Sequence, residues 1–437
     1  MKTKQSLLTR DGVSFLVPFV FITACFALWG FANDITNPMV KAFSKIFRMS
    51  VADGALVQVA FYGGYFAMAL PAALFVRRYS FKAGVLLGLG LYAAGALAFY
   101  PAMLTGEYYP FLFAYFLLTC GLSFLETSCN PYILAMGPES TATRRLNLAQ
   151  AFNPIGSLCG MWVAMTCIQA RLHPLDSSGR ALLADDEFRA VRDADLWVLV
   201  QPYLFIGAVI AVMFVVIAML RVPADKGGSS GDFALRPTLR RLCRLPRYRE
   251  GVVAQFFYIG AQIMCWTFII QYGTRVFMSE GMSETAAEIL SQKYNIAAMV
   301  LFCFSRFVCT WLLRFIDPCR MLAVLAATGA VLALGVIFLG GVAGLCCLVA
   351  ISACMSLMFP TIYGIALEGL GEDAKLGAAG LIMAILGGSV LPPVQAAIID
   401  CGTVLGMPAV NVSFFLPLVC FVVVCAYGRR AQRFGND

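Results

Sequence analysis

Glu126 and Asn130 stand four residues apart in the segment Leu122 to Tyr132, LSFLETSCNPY. On a helix that spacing puts both on one face. They lie inside an apolar run from about residue 110 to 136, and a bilayer-spanning helix needs only ~20 such residues. A carboxylate at hydrocarbon depth costs ~2.5–3.5 kcal/mol on insertion scales. It is therefore kept neutral, paired or turned toward water. Such a group marks a functional site unless it merely bonds a neighbouring helix. A second carboxylate, Asp34, sits in LWGFANDITNP beside Asn33, with Asn37 three residues on and Pro38 after it. A carboxyl group holds its proton more strongly in a closed, dry cavity than when it faces water. Two such groups, wetted from one side of a membrane at a time, can carry protons across it. Asp34 and Glu126 are thus the expected proton-coupling pair.

Amides and aromatic rings accompany them. Asn147, Gln150 and Asn153 recur at three-residue steps in LNLAQAFNPIG, and Gln255, Tyr258, Gln262 and Trp266 recur in QFFYIGAQIMCW. Each set predicts one stripe on one helix face. A single amide is as well explained by helix-to-helix bonding, worth ~0.6 kcal/mol on average in membrane bundles. With Asp34 and Asn37 as a third set on the first span, three stripes and two carboxylates on four helices exceed that need. The pattern suits a sugar: amides supply donors and acceptors in pairs for hydroxyls, and aromatic platforms cover the apolar ring faces. The expected sugar-binding set is Trp29, Asn37, Asn130, Gln150, Asn153, Tyr258, Gln262 and Trp266. Arg306, in CFSRFVCTWL, fits snorkelling, a gating salt bridge or sugar contact equally well.

These residues need a membrane around them, and the composition supplies the reason to expect one. The 437 residues are 60% hydrophobic and 13% charged, with a mean hydropathy of +0.81. A soluble chain carries roughly 25% charged residues. The basic residues cluster in loops rather than on one face, so nucleic acid is not an expected partner. Sixteen cysteines fall mostly in apolar runs without CxxC spacing, and His173 is the only histidine. Neither a metal site, a disulfide framework nor a cofactor is expected. An intramembrane enzyme would need a nucleophile and base, or metal ligands, converging in one pair of spans, and the sequence offers no such set.

Twelve apolar runs follow one another, at about 14–40, 51–76, 82–103, 108–136, 146–170 and 196–220, then 251–278, 284–313, 319–340, 342–367, 375–399 and 407–428. The chain is expected to be an all-α membrane protein. Arg77, Arg78, Lys82, Arg144, Arg145, the basic segment 221–250 and Arg429, Arg430 and Arg433 share one side if both termini are cytoplasmic. The acidic loop 171–195 then faces outward. Lys41, Lys45 and Arg48 break the rule. The start, MKTKQSLLTRDG, reads as a cytoplasmic tail before a retained first span. DKGGSSGD, within 221–250, is the clear flexible stretch in mid-chain. It predicts an amino-terminal six-helix bundle over 1–220, a basic cytoplasmic linker over 221–250 and a second bundle over 251–437. An echo between the halves, Pro131 with Glu139 and Pro360 with Glu368 at equal spacing, favours two parallel six-span repeats.

At FLETSCNPY, GPESTATRRLNLAQAFN, QFFYIGAQIMCW, SRFVCTWL, FPTIYGIAL and LGGSVLPPV the chain resembles the fucose permease family of proton-coupled sugar transporters. The resemblance extends over nearly the whole chain. It implies the major facilitator fold, an inner (plasma) membrane location and import of a monosaccharide, L-fucose ahead of other hexoses, with a proton; a monomer is expected. The family's essential glutamate falls on Glu126. Its first-span aspartate falls on Asn37, and a family asparagine one turn earlier falls on Asp34, so carboxylate and amide trade places. The family's tryptophans in the first and seventh spans fall on Trp29 and Trp266. An uncoupled facilitator or exporter, and a different hexose, are the alternatives.

Overall fold

Lipid offers no partners for backbone polar groups, so an apolar run long enough to cross a bilayer must satisfy them internally as a helix. The structure, a computed structural model, describes residues 7–10, 13–36, 39–49, 56–173, 175, 180, 182–220, 235–404 and 406–434. Asn37, Pro38 and residues 221–234 of the expected linker lie outside these. Among the described residues twelve helical spans are long and apolar enough to cross a membrane. They are Leu16–Ile35, Val59–Arg78, Phe81–Thr105, Tyr109–Ala135, Glu139–Ile168 and Asp185–Met219, then Pro246–Ser279, Ile289–Leu312, Pro318–Phe338, Gly341–Leu367, Ala374–Ile399 and Ala409–Arg433. They match the expected runs one for one.

Local chemistry explains where the spans stop. Asp317 begins the ninth, its carboxylate accepting from the Arg320 N–H at 3.0 Å, with Pro318 at the first helical position. Gly340 and Gly341, at φ 63 and 52, turn the ninth span into the tenth through a conformation that only glycine adopts without strain.

Two boundaries depart from expectation. The sixth span starts at Asp185, not 196, because Asp185, Asp186 and Glu187 favour a helix N-terminus; much of the acidic loop is therefore helical. In the first span the described helices are Leu16–Thr36, which holds Asp34, and Met39–Ile46. The fifth span is interrupted at Ala151 and Phe152, between the helices Ala142–Gln150 and Asn153–Val163. The continuous stripe expected through Asn147, Gln150 and Asn153 is broken there, ahead of Pro154.

The chain groups into two compact units. One holds Asp11–Ile133 and Phe152–Gly231. Within it the first span packs on the fifth, and the third on the second and sixth. The first and fifth meet backbone to backbone: a Cβ on Gly156 would lie 1.8 Å from the Ala27 carbonyl, and one on Gly30 2.0 Å from that of Asn153. Small residues at such crossings let helices approach where lipid supplies no hydrophobic drive. Lys82 donates to the carbonyls of Ala218 and Leu220 at 2.9 and 2.7 Å, capping the sixth span. At the opposite end of that span, Arg180 and Asp195 form a buried ion pair, and Asp195 also accepts from the His173 N–H at 2.8 Å. Arg48 donates to the carbonyl of Arg180 and lies over the Phe188 ring at 3.5 Å. One of the three cations that break the loop-charge rule is thus held by a carbonyl and a ring face.

The other unit holds Met1–Arg10, Leu134–Ala151 and Asp232–Asp437. The seventh span packs against the eighth, tenth, eleventh and twelfth. Ion pairs Arg241–Asp373, Arg247–Glu368 and Arg430–Glu250 gather at one end. Arg145, read from sequence as a loop charge, is fully buried. Its guanidinium donates to the carbonyls of Leu134 and Leu7 and to Thr141 Oγ1. The stretch Leu134–Ala151 belongs to this unit by its contacts, and the helix Ala142–Gln150 packs on the tenth and eighth spans.

Candidate functional site

In the unit built on Asp11–Ile133, Glu126 is buried at 2% exposure in the middle of the fourth span. Its Oε2 has no hydrogen-bond partner among the described residues. A buried carboxylate oxygen without a donor is costly when charged. Asn130, one turn on, is fully buried and donates to the Glu126 carbonyl at 3.0 Å, an intrahelical bond. Trp29 is buried and stacks on Phe26 with ring centroids 5.1 Å apart. Asn153 donates to the Phe26 carbonyl at 3.1 Å, so its amide nitrogen serves the crossing of the first and fifth spans. Asp34 is half-buried.

Two tyrosines of the second span, absent from the expected set, join this group. Tyr65 stands beside Trp29 and within electrostatic range of Glu126, and Tyr62 within range of Asp34. Ser123 Oγ ties the fourth span to the second by donating to the Tyr65 carbonyl at 3.1 Å. The signal was in the sequence: FYGGYF sets Tyr62 and Tyr65 three residues apart in an apolar run.

The other unit gathers Gln150, Tyr258, Gln262, Trp266 and Arg306. The seventh span is one helix over Pro246–Ser279, so its stripe shares a face, and that face meets a break in the tenth span. There the helices Gly341–Met355 and Met358–Leu367 part at Ser356 and Leu357. Side chains occupy the polar groups around the break. Tyr258 donates to the Met355 carbonyl at 3.0 Å, and Trp266 Nε1 to Ser352 Oγ at 3.3 Å. From the eighth span, Ser305 donates to the Ala353 carbonyl at 2.9 Å and Arg306 Nε to that of Ser356. Trp266 also meets Phe302 edge-on at 5.0 Å.

Arg306 is 4% exposed, so it does not snorkel, and it pairs with no carboxylate among the described residues. Its Nη1 donates to the Gln150 carbonyl at 2.9 Å, and its guanidinium lies 4.7 Å from the Phe302 centroid. Gln262 is half-buried, whereas Gln255 is fully buried with neither amide atom hydrogen-bonded. An unsatisfied buried amide is rare enough to ask for a ligand or water. Among the described residues, no three His, Cys, Asp or Glu side chains come together as metal ligands would.

Residues 20–392 match the family model described as Major Facilitator Superfamily. The chain belongs to the Major Facilitator Superfamily. Within that superfamily it is 51% identical over 424 residues to the L-fucose-proton symporter of Haemophilus influenzae, covering 96% of this chain and 97% of that one. It is 32% identical to the L-fucose-proton symporter of Escherichia coli, over 97% of this chain and 95% of the relative. A crystal structure of the E. coli fucose:proton symporter superimposes with a TM-score of 0.86 at 31% identity, covering 96% of this chain and 99% of that one. This superfamily member is a multi-pass membrane protein, and those relatives are transporters.

Proposed function

We propose that this chain imports L-fucose together with a proton by alternating access, as a transporter and not an enzyme. The observation that carries the reading is Glu126: a buried carboxyl group at mid-span with an oxygen no described residue satisfies. A group so placed is at ease when protonated and strained when charged in a dry surround, which is the property a proton carrier needs. The likeness to two fucose-proton symporters over nearly the full chain supports the substrate.

Asp34 is the second proton-linked group, with Asn37 as a sugar ligand. Trp29 and Trp266 are platforms for the sugar ring, and Asn130, Gln150, Asn153, Tyr258 and Gln262 complete the sugar set. Asn153 serves it through Oδ1, since its nitrogen holds Phe26. The protein acts as a monomer in the inner membrane with both termini cytoplasmic, its bundles 1–220 and 251–437 joined by the linker 221–250.

The deciding experiment adds L-fucose to a weakly buffered suspension of de-energised cells that produce the protein, and records external pH. Alkalinisation that vanishes in Glu126→Gln is expected. Entry of labelled fucose without any pH change would replace symport by facilitated diffusion. Alkalinisation with another hexose but not with fucose would reassign the substrate.

A further inference from the structure

In a straight helix the carbonyl of residue i accepts from the N–H of residue i+4. Proline has no N–H, so it leaves the carbonyl four residues before it without that donor. Pro154 does this to Gln150 in the fifth span, and Pro360 to Ser356 in the tenth. Arg306, from the eighth span, donates to both: Nη1 to Gln150 at 2.9 Å and Nε to Ser356. A guanidinium is a planar fork that serves two acceptors at fixed geometry, and it stays charged when buried. Among the described residues no carboxylate pairs with it; two proline-opened carbonyls and the face of Phe302 receive the charge instead.

The helix that ends at Gln150 presses on Met358–Leu367, the helix that follows Ser356. Asn147, on Ala142–Gln150, donates to Thr361 Oγ1 at 3.4 Å. A Cβ on Gly364 would lie 2.8 Å from Thr143 Oγ1. The tenth-span break is held on its other side by Tyr258 and, through Ser352, by Trp266.

We propose that Arg306 is a positioning residue, a tether that locks the 142–150 helix onto the tenth span through the two proline-opened carbonyls and must release one of them for sugar to leave toward the cytoplasm. Tyr258 and Trp266 hold the same break, so sugar bound against them competes with the bonds that keep it set. The consequence for transport rests on the symport reading; the tether itself does not.

Backbone hydrogen–deuterium exchange on the purified full-length protein tests the tether without any sugar. In Arg306→Gln, peptides covering 142–150 and 358–367 are expected to exchange about tenfold faster, the loss of a charge-assisted buried hydrogen bond. Peptides from the third span are expected to keep their rates. Adding Pro154→Ala and Pro360→Ala to Arg306→Gln returns an N–H to each carbonyl without restoring the cross-link. That triple variant is expected to keep the fast exchange at normal fucose binding. Exchange restored to the parent rate in the triple variant would mean that Arg306 only fills two carbonyls, and would overturn the tether. Unchanged exchange in Arg306→Gln would do the same. Loss of fucose binding with unchanged exchange would instead make Arg306 a sugar ligand.

Discussion

Glu126 and Asp34 differ in their surroundings, and their variants should differ accordingly. Glu126 is enclosed and one of its oxygens has no donor among the described residues, so Glu126→Gln keeps the shape and mimics the protonated carboxyl. Exchange of labelled fucose at equal concentrations should persist in this variant while accumulation against a gradient is lost. Loss of both would mark Glu126 as a sugar ligand. Asp34 is half-buried in the first span. Asp34→Asn that still concentrates fucose would leave Glu126 as the sole proton carrier. Trp266 presents a ring and an N–H that reaches Ser352. Trp266→Phe keeps an aromatic face and gives up an N–H that Ser352 receives, so fucose binding should change little, whereas Trp266→Ala removes the platform and should cost ~3 kcal/mol or more. Equilibrium binding by tryptophan fluorescence or calorimetry separates the two. Equal losses would mean that sugar does not stack there.

At the scale of elements, helix breaks and close crossings matter most. The first and fifth spans touch through Gly30, Gly156 and Gly160. Gly156→Val forces them apart, and overpacking of this kind costs ~1–3 kcal/mol. The thermal midpoint of the detergent-solubilised protein should fall by several degrees, with less monodisperse protein on gel filtration. An unchanged midpoint would mean that the crossing is looser than described. The same crossing uses the Asn153 nitrogen, which explains why an amide stripe drawn from three-residue spacing overstates the number of free sugar ligands. Spacing shows which face a residue shares when the helix is unbroken. It does not show that Pro154 divides the fifth span just where two of the three amides stand. The seventh span has no internal proline, and its stripe survived as drawn.

On the scale of the molecule, stability and orientation can be tested separately. Arg180 and Asp195 are buried together, and removing either alone strands a charge at a cost of ~3–5 kcal/mol. Arg180→Met and Asp195→Leu should each lower the thermal midpoint, and the pair of changes together should recover most of the loss. Additive losses would show that the pair is not mutually dependent. The loop charges argue for cytoplasmic termini, and Arg48, which breaks that pattern, is held by a carbonyl and a ring. Green fluorescent protein fused to the C-terminus should fluoresce, and alkaline phosphatase fused there should stay inactive. The reverse pattern would invert the orientation.

The sequence by itself determined the twelve spans, because length and apolarity decide membrane insertion segment by segment, and it determined that Glu126 lies within the fourth of them. The tenth-span break was half visible in FPTIYG, since Pro360 must open a carbonyl one turn back. What fills that carbonyl was not visible: Arg306 lies 50 residues from Ser356 and 156 from Gln150. Only the packing of the eighth span between two interrupted helices brings one guanidinium to both. The place of Leu134–Ala151, in the same unit as Asp232–Asp437, was likewise a tertiary decision. Hydropathy reports how each helix meets lipid, whereas the partner of a buried polar group is set by which helices approach it.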